Sequence, residues 1–215
     1  GTLVTGQYRL GINGSGSLTL VADSSSGKVN VNTASDLTLS NTTGNLNIGV
    51  IEAGGTAVIT STGGITAGDK LGNKVHVKAP GVSLTAQNGN IGSADAPVDV
   101  DTDADGGGKL SANAINGSIN INELIGDLVI DTIISTGDGN IFIVAEGSIE
   151  VGTISSTGGG DVSLTAGNGD ITETNGTDSI AAAAAAKTAA VQARSTANLA
   201  AAQAEIAAFE SELQA

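Results

Sequence analysis

A pair of alternating aliphatic residues returns roughly every ten positions along most of this chain, with glycine- or asparagine-bearing turns between the pairs. The first members run Leu18, Val29, Leu37, Leu46, Ala57 and Ile65. They continue through Val75, Val82, Ile91, Val98, Leu110 and Ile119 to Leu128, Ile141, Ile149, Val162 and Ile171. Fixed spacing of this kind marks a repeat architecture, in which one short unit cannot bury its apolar face alone and stacks on the next.

An internal copy sets the expected repeat length. Val82-Ser83-Leu84-Thr85-Ala86 reappears as Val162-Ser163-Leu164-Thr165-Ala166, 80 positions further on, and the glycine–asparagine turn that follows is repeated with it. Two pairs per turn make a coil of ~20 residues, so the copies are expected four whole turns apart. Asn-Gly between short strands also signals two-residue hairpins. The length of the copy favours stacked coils over a meander. The expected fold is all-β, a parallel β-helix over residues 1–178.

Within each strand the pattern has period two. Val29-Asn30-Val31-Asn32 and Ile119-Asn120-Ile121-Asn122 put aliphatics on one face and amides on the other. By the same rule His76, between Val75 and Val77, is expected to face outward. Aromatics are almost absent: Tyr8, Phe142 and Phe209. A narrow one-dimensional core stacks aliphatic side chains and has little room for rings, and Phe142 is assigned to that core. The 32 glycines, and the pairs Asn13-Gly14, Asn88-Gly89, Asn116-Gly117, Asn168-Gly169 and Asn175-Gly176, supply the positive φ that tight corners need.

The composition changes near Thr177. Residues 180–215 contain no glycine or proline, and Ala181 to Ala186 are unbroken. Alanine has the best helix propensity, and Thr177, Asp178 and Ser179 offer a cap, so a long α-helix is expected over 179–215. Leu199, Ile206 and Leu213 are seven apart, with Ala202 and Phe209 between them; Val191 lies upstream. These residues are the expected self-association stripe. Lys187 and Arg194 interrupt the segment, so it is not expected to span a membrane. A first residue other than methionine, and glutamates crowding the helix end, suggest a piece of a longer polypeptide.

The net charge is −14, and the rod carries nearly all of it, because Lys187 and Arg194 offset two of the three glutamates beyond residue 180. Such a surface repels nucleic acid and anionic membranes. The absence of cysteine excludes disulfides and thiolate metal sites. Four glycosylation sequons, at Asn13, Asn41, Asn116 and Asn175, are what chance supplies in a chain so rich in Asn, Ser and Thr.

Catalysis is not expected. His76 is the only histidine, the serines lie in Gly/Thr turns without a base, and the glycine runs Gly106–Gly108 and Gly158–Gly160 follow no strand-to-helix phosphate loop. The notable cluster is Asp95, Asp99, Asp101, Asp103 and Asp105. In an extended chain the last four project on one side, where like charges repel unless a cation sits among them. Asp101 to Gly106 matches the first half of an EF-hand loop, but Ala112 stands where its bidentate glutamate belongs. Calcium at Asp99, Asp101, Asp103 and Asp105 is the one cofactor expectation; a solvated acidic loop is its rival.

Gly81 to Ser93, Ala96 to Thr102 and Gly160 to Ile171 resemble the repeats of filamentous-haemagglutinin-type surface adhesins, exported by two-partner secretion. The resemblance covers most of residues 16–176. It implies a right-handed β-helix, secretion to the surface of a Gram-negative bacterium, and a role as stalk or adhesive fibre. The Ala-rich helix is foreign to that repeat pattern and suits an assembly or capping device. The expected function is a non-catalytic structural or adhesive rod that forms homo-oligomers or homopolymers, with host or surface glycans as partners. The alternative is a solenoid that binds a lattice or polysaccharide through flat threonine-bearing faces. Thr19, Thr38, Thr60, Thr85 and Thr165 recur, but Asn, Lys, Ser and Asp fill the intervening sites when the chain is read by spacing.

Overall fold

The computed structural model describes residues 2–4, 8–12, 17–23, 27–68, 75–102 and 107–174, together with Gln203. The chain divides into two units, Gly1–Thr174 and Asn175–Ala215. The expected C-terminal helix, Gln203 apart, lies outside the described residues, and so do Val191, Leu199, Ile206, Phe209 and Leu213.

The first unit is a parallel β-solenoid built from two nine-stranded sheets. Sheet I stacks β1 (Thr2–Val4), β3 (Leu18–Asp23), β5 (Leu37–Asn41), β7 (Thr56–Ser61) and β10 (Gly81–Ala86) in that order. It continues with β12 (Leu110–Ala114), β14 (Leu128–Ser135), β16 (Ile149–Ser156) and β18 (Ile171–Glu173). Sheet II stacks β2 (Tyr8–Ile12), β4 (Lys28–Thr33), β6 (Leu46–Ala53), β9 (Val77–Lys78) and β11 (Val98–Asp101). It ends with β13 (Ile119–Glu123), β15 (Ile141–Ala145) and β17 (Val162–Ala166), while β8 (Ile65–Ala67) pairs with β6 beside this path. Every pairing is parallel. Outside two long coils, successive aliphatic pairs therefore alternate between sheets, and hairpins are ruled out for these strands.

The core is the aliphatic filling between the sheets. Leu37, Leu39, Ile59, Leu84 and Leu110 of sheet I and Leu46, Ile48, Ile51, Ile119 and Ile121 of sheet II are fully buried. Each side chain covers its counterpart one coil below, so apolar surface is removed from water continuously along the axis. Among the described side chains no aromatic joins this core. Phe142 lies between inward-facing Ile141 and Ile143, so the pleat turns it outward and leaves it 40% exposed, which corrects its assignment to the interior.

Coil length is less regular than the spacing suggested. Register partners Leu18 and Leu37, or Leu37 and Ala57, are about one 20-residue turn apart, but Ala57 pairs with Val82 and Val82 with Leu110. These longer coils carry an extra apolar segment on the sheet II side, which is why Ile65 and Ile91 bridge there ahead of Val77 and Val98. The insertions put the two copies of Val-Ser-Leu-Thr-Ala on opposite sheets, β10 on one and β17 on the other. The copies are not four whole turns apart.

Corners are closed by side chains that reach one coil along. The Oδ1 atoms of Asp36, Asn45, Asn90, Asp127 and Asn140 accept hydrogen bonds from the backbone N–H groups of Thr56, Gly64, Ser118, Ser148 and Asp161, at 2.7–2.8 Å. The Asn-Gly pairs do not share one role. Gly89 takes the positive φ itself, whereas in Asn116-Gly117 it is Asn116 that does. Gly117 is needed for close approach: a Cβ there would lie 2.2 Å from the Gly89 carbonyl oxygen. Neither residue of Asn168-Gly169 has a positive φ.

Inward Leu84 and outward Ser83 test the core assignment on a single strand. Leu84→Ala should cost about 2–5 kcal/mol in denaturant unfolding, and Ser83→Ala under about 0.5 kcal/mol. Equal costs would mean the pleat of β10 is inverted.

Candidate functional site

The outer faces of the two sheets differ in charge. On sheet I the register lines up two outward columns. One holds Thr19, Thr38, Val58, Ser83, Ser111, Thr132 and Thr153, and the other Val21, Ser40, Thr60, Thr85, Asn113, Ile134 and Ser155. None of these residues is charged, on a chain whose net charge is −14. Asp36 and Lys109 stand at the strand starts bordering the columns, and Asp131 projects where the register shifts in β14. Reading by spacing missed these columns because the long coils move the later threonines and serines out of phase.

Sheet II carries ionisable groups on ladders of one residue per coil. Asn32, Glu52, Lys78 and Asp101 are successive register partners. Asn32 Nδ2 donates to Glu52, and Lys78 Nζ lies 2.6 Å from Asp101 Oδ2. A parallel ladder carries His76, Asp99, Asn122 and Val144. Asn122 Nδ2 donates to Asp99 Oδ1 at 3.1 Å.

His76 does not face solvent as strand alternation predicted. It sits in a bend ahead of β9, where period two no longer applies, and is buried beneath the adjoining coils. Its Nδ1 accepts the Asp99 N–H at 3.1 Å, with Asp99 Oδ2 3.3 Å away. Burial lowers its pKa, opposed by the Asp99 carboxylate and reinforced by Lys28. An acceptor Nδ1 belongs to a neutral imidazole, so His76 acts here as a hydrogen-bonding corner residue.

Of the four aspartates expected to hold calcium, Asp103 and Asp105 lie outside the described residues. Asp99 is engaged by Asn122 and His76, and Asp101 by Lys78. Among the described residues no three His, Cys, Asp or Glu side chains converge.

Glu123 is the group that sequence reasoning passed over. It occupies the inward parity of Ile119 and Ile121 and is almost completely buried at the end of β13. Its Oε2 accepts from the Thr102 N–H at 3.1 Å and from the Thr102 hydroxyl at 2.8 Å. Burial pushes the carboxyl up to about 7; the Thr102 hydrogen bonds oppose that rise and the Asp101 charge adds to it. A charged residue at an inward position of an alternating strand was the available signal. Beyond it, Asn122, Glu123, Ile125, Val144, Glu146 and Asn168 line an open groove of about 810 Å³.

Glu123→Gln keeps an acceptor for Thr102 and cannot ionise. The ordinary value is 4.5 and the folded one about 7, so the folded state holds the extra proton between these limits. The stability this proton provides is complete below pH 4.5, declines as pH rises, and is gone above about pH 7. The stability gap between Glu123→Gln and wild type should widen in favour of the variant by about 3 kcal/mol from about pH 4 to about pH 8, by urea unfolding. A gap that stays constant would mean Glu123 titrates normally in the fold.

No protein-family model, no curated protein and no solved structure matches the chain.

Proposed function

We propose that this chain is a non-catalytic structural or adhesive rod of an extracellular surface fibre, and that it associates with copies of itself through its ends. On this reading the solenoid winds right-handed, as parallel crossovers nearly always do, and belongs to a filamentous-haemagglutinin-type surface protein. The observation that carries the proposal is the last described rung. Ile141 and Ile149 are completely buried, but Val162 and Ile171, their register partners one coil on, are 48% and 43% exposed. Among the described residues β17 and β18 also end their sheets. An open strand edge is a template for another strand, and each aliphatic side chain covered there contributes about 1.5–3 kcal/mol.

A second reading is favoured by the two columns on sheet I. They present one small uncharged residue per coil at a repeat of ~4.8 Å, a regular surface suited to an uncharged lattice or polysaccharide. Interface centres are depleted in charge, and these two columns are uncharged on an acidic protein, with Asp36, Lys109, Asp131 and Glu150 beside them.

Light scattering of the full chain at micromolar concentration tests the first reading. Oligomers or filaments are expected, and Val162→Asp with Ile171→Asp, or deletion of residues 180–215, should convert them to monomers. A monodisperse wild-type monomer would sink the assembly proposal. Adsorption to microcrystalline polysaccharide or to growing ice tests the second reading. Val58→Glu with Thr132→Glu should abolish adsorption while Val144→Glu on the opposite face leaves it intact; equal behaviour of the two variants would exclude the sheet I face.

A further inference from the structure

The internal copy carries its turn with it. Gln87-Asn88-Gly89-Asn90 leads out of β10, and Gly167-Asn168-Gly169-Asp170 leads out of β17. With glycine after asparagine, the next backbone nitrogen reaches the side-chain carbonyl carbon easily, because no Cβ stands in the way. The fold decides whether that nitrogen is free to move. In the first copy the following coil holds it, since the Gly89 N–H donates to the Ile115 carbonyl at 3.0 Å. Asn116-Gly117 is clamped as well. Asn116 has a φ of 56° and its N–H donates to Thr136 Oγ1 at 3.1 Å, while the buried Gly117 accepts the Ser135 hydroxyl at 2.8 Å. The second copy lies on the last described rung, where β17 and β18 end their sheets. Asn168 and Gly169 are exposed there and neither has a positive φ. The Asn168 N–H donates to the Glu146 carbonyl on the preceding coil at 2.8 Å, but among the described residues the Gly169 N–H has no acceptor.

We propose that Asn168 is a modification site: the folded chain loses this side-chain amide through a succinimide because its rung is open, whereas Asn88, in the corresponding turn, and Asn116 keep theirs. The Gly169 backbone nitrogen gives its proton to hydroxide and attacks Cγ of Asn168. The new N–C bond closes a cyclic imide, and the bond from Cγ to the side-chain nitrogen breaks. That nitrogen takes a proton from water and leaves as ammonia, which restores the hydroxide. Water then opens the ring. Cleavage at Cγ gives aspartate, and cleavage at the main-chain carbonyl gives isoaspartate, whose chain runs through Cγ. One ammonia departs and one water enters, with no oxidation or reduction. At Gly89 the bond to Ile115 must break before the nitrogen can turn, and a closed coil opens rarely. At Gly169 there is no such bond to break. Either product places a new carboxylate in the groove that Asn168 shares with Glu146, and isoaspartate adds one atom to the backbone between β17 and β18.

Peptide mass spectrometry of the full chain tests this, with the protein held in mildly alkaline buffer at nanomolar concentration so that end-to-end contacts do not form. The folded chain should gain ~1 Da at Asn168, and fragmentation should find isoaspartate there. Conversion at Asn88 and Asn116 should be at least about tenfold slower. In concentrated urea the clamps are gone, and Asn88 and Asn168 should convert at similar rates. Asn168→Gln, whose extra methylene slows ring closure, should remove the gain. An Asn168 that stays intact in the folded chain overturns the proposal, and so does a folded Asn88 or Asn116 that keeps pace with it. A lead for Asn168 that persists in urea would place the cause in the local sequence and overturn the part given to the open rung.

Discussion

Everything in this rod depends on the parallel hydrogen-bonded ladder between one coil and the next. A single coil has no other partner for its backbone N–H and C=O groups, and those groups are costly to leave unpaired away from water. The ladder also sets which side chains stack. Once Leu37 pairs with Ala57 and Leu39 with Ile59, the pleat sends Thr38 and Val58 outward together. The aliphatic core and the outer columns are two consequences of one register. The corner residues obey it as well, since Asp36 and Asn45 satisfy backbone donors on the following coil, not on their own.

The ladder is interrupted in the middle of the rod, and the polar chemistry gathers there. The long coils between β7 and β12 leave β9 with two residues, and His76, Asp101, Thr102 and Glu123 are buried around it. Each finds a partner on a neighbouring coil: His76 with Asp99, Asp101 with Lys78, and Thr102 with Glu123. Hydrogen bonds and charge pairs take over where the aliphatic stack is thin. Burial then moves the two titratable groups in opposite senses, down for His76 and up for Glu123, because low polarity favours the neutral form of both.

Two outward columns of sheet I carry no charge. The outer face of sheet II carries Glu52, Lys78, Asp99 and Asp101 on its ladders, whereas the sheet I columns are Thr, Ser, Val, Ile and Asn throughout. Phe142 and Val144 add exposed apolar surface to sheet II one coil beyond Asn120 and Asn122. The two sheets thus present unlike outer surfaces, and among the described residues the last rung leaves Val162 and Ile171 exposed.

The strands and their inward faces were legible in the sequence, because alternation is local: the pleat turns each side chain opposite to its neighbour whatever lies elsewhere. The Ile119, Ile121, Glu123 parity even announced the buried glutamate. His76 escaped because a bend, which has no fixed period, precedes β9. Which sheet each aliphatic pair joins was not legible. Register between coils is a long-range property that depends on every intervening insertion, and the long coils around β9 put two copies of the same five residues on opposite sheets. The same insertions hid the uncharged columns of sheet I and the meeting of Lys78 with Asp101. The sequence by itself determined a stack of short strands with an aliphatic interior. Only the tertiary structure decided which outward residues became neighbours, because neighbours across coils are chosen by the ladder and not by the spacing along the chain.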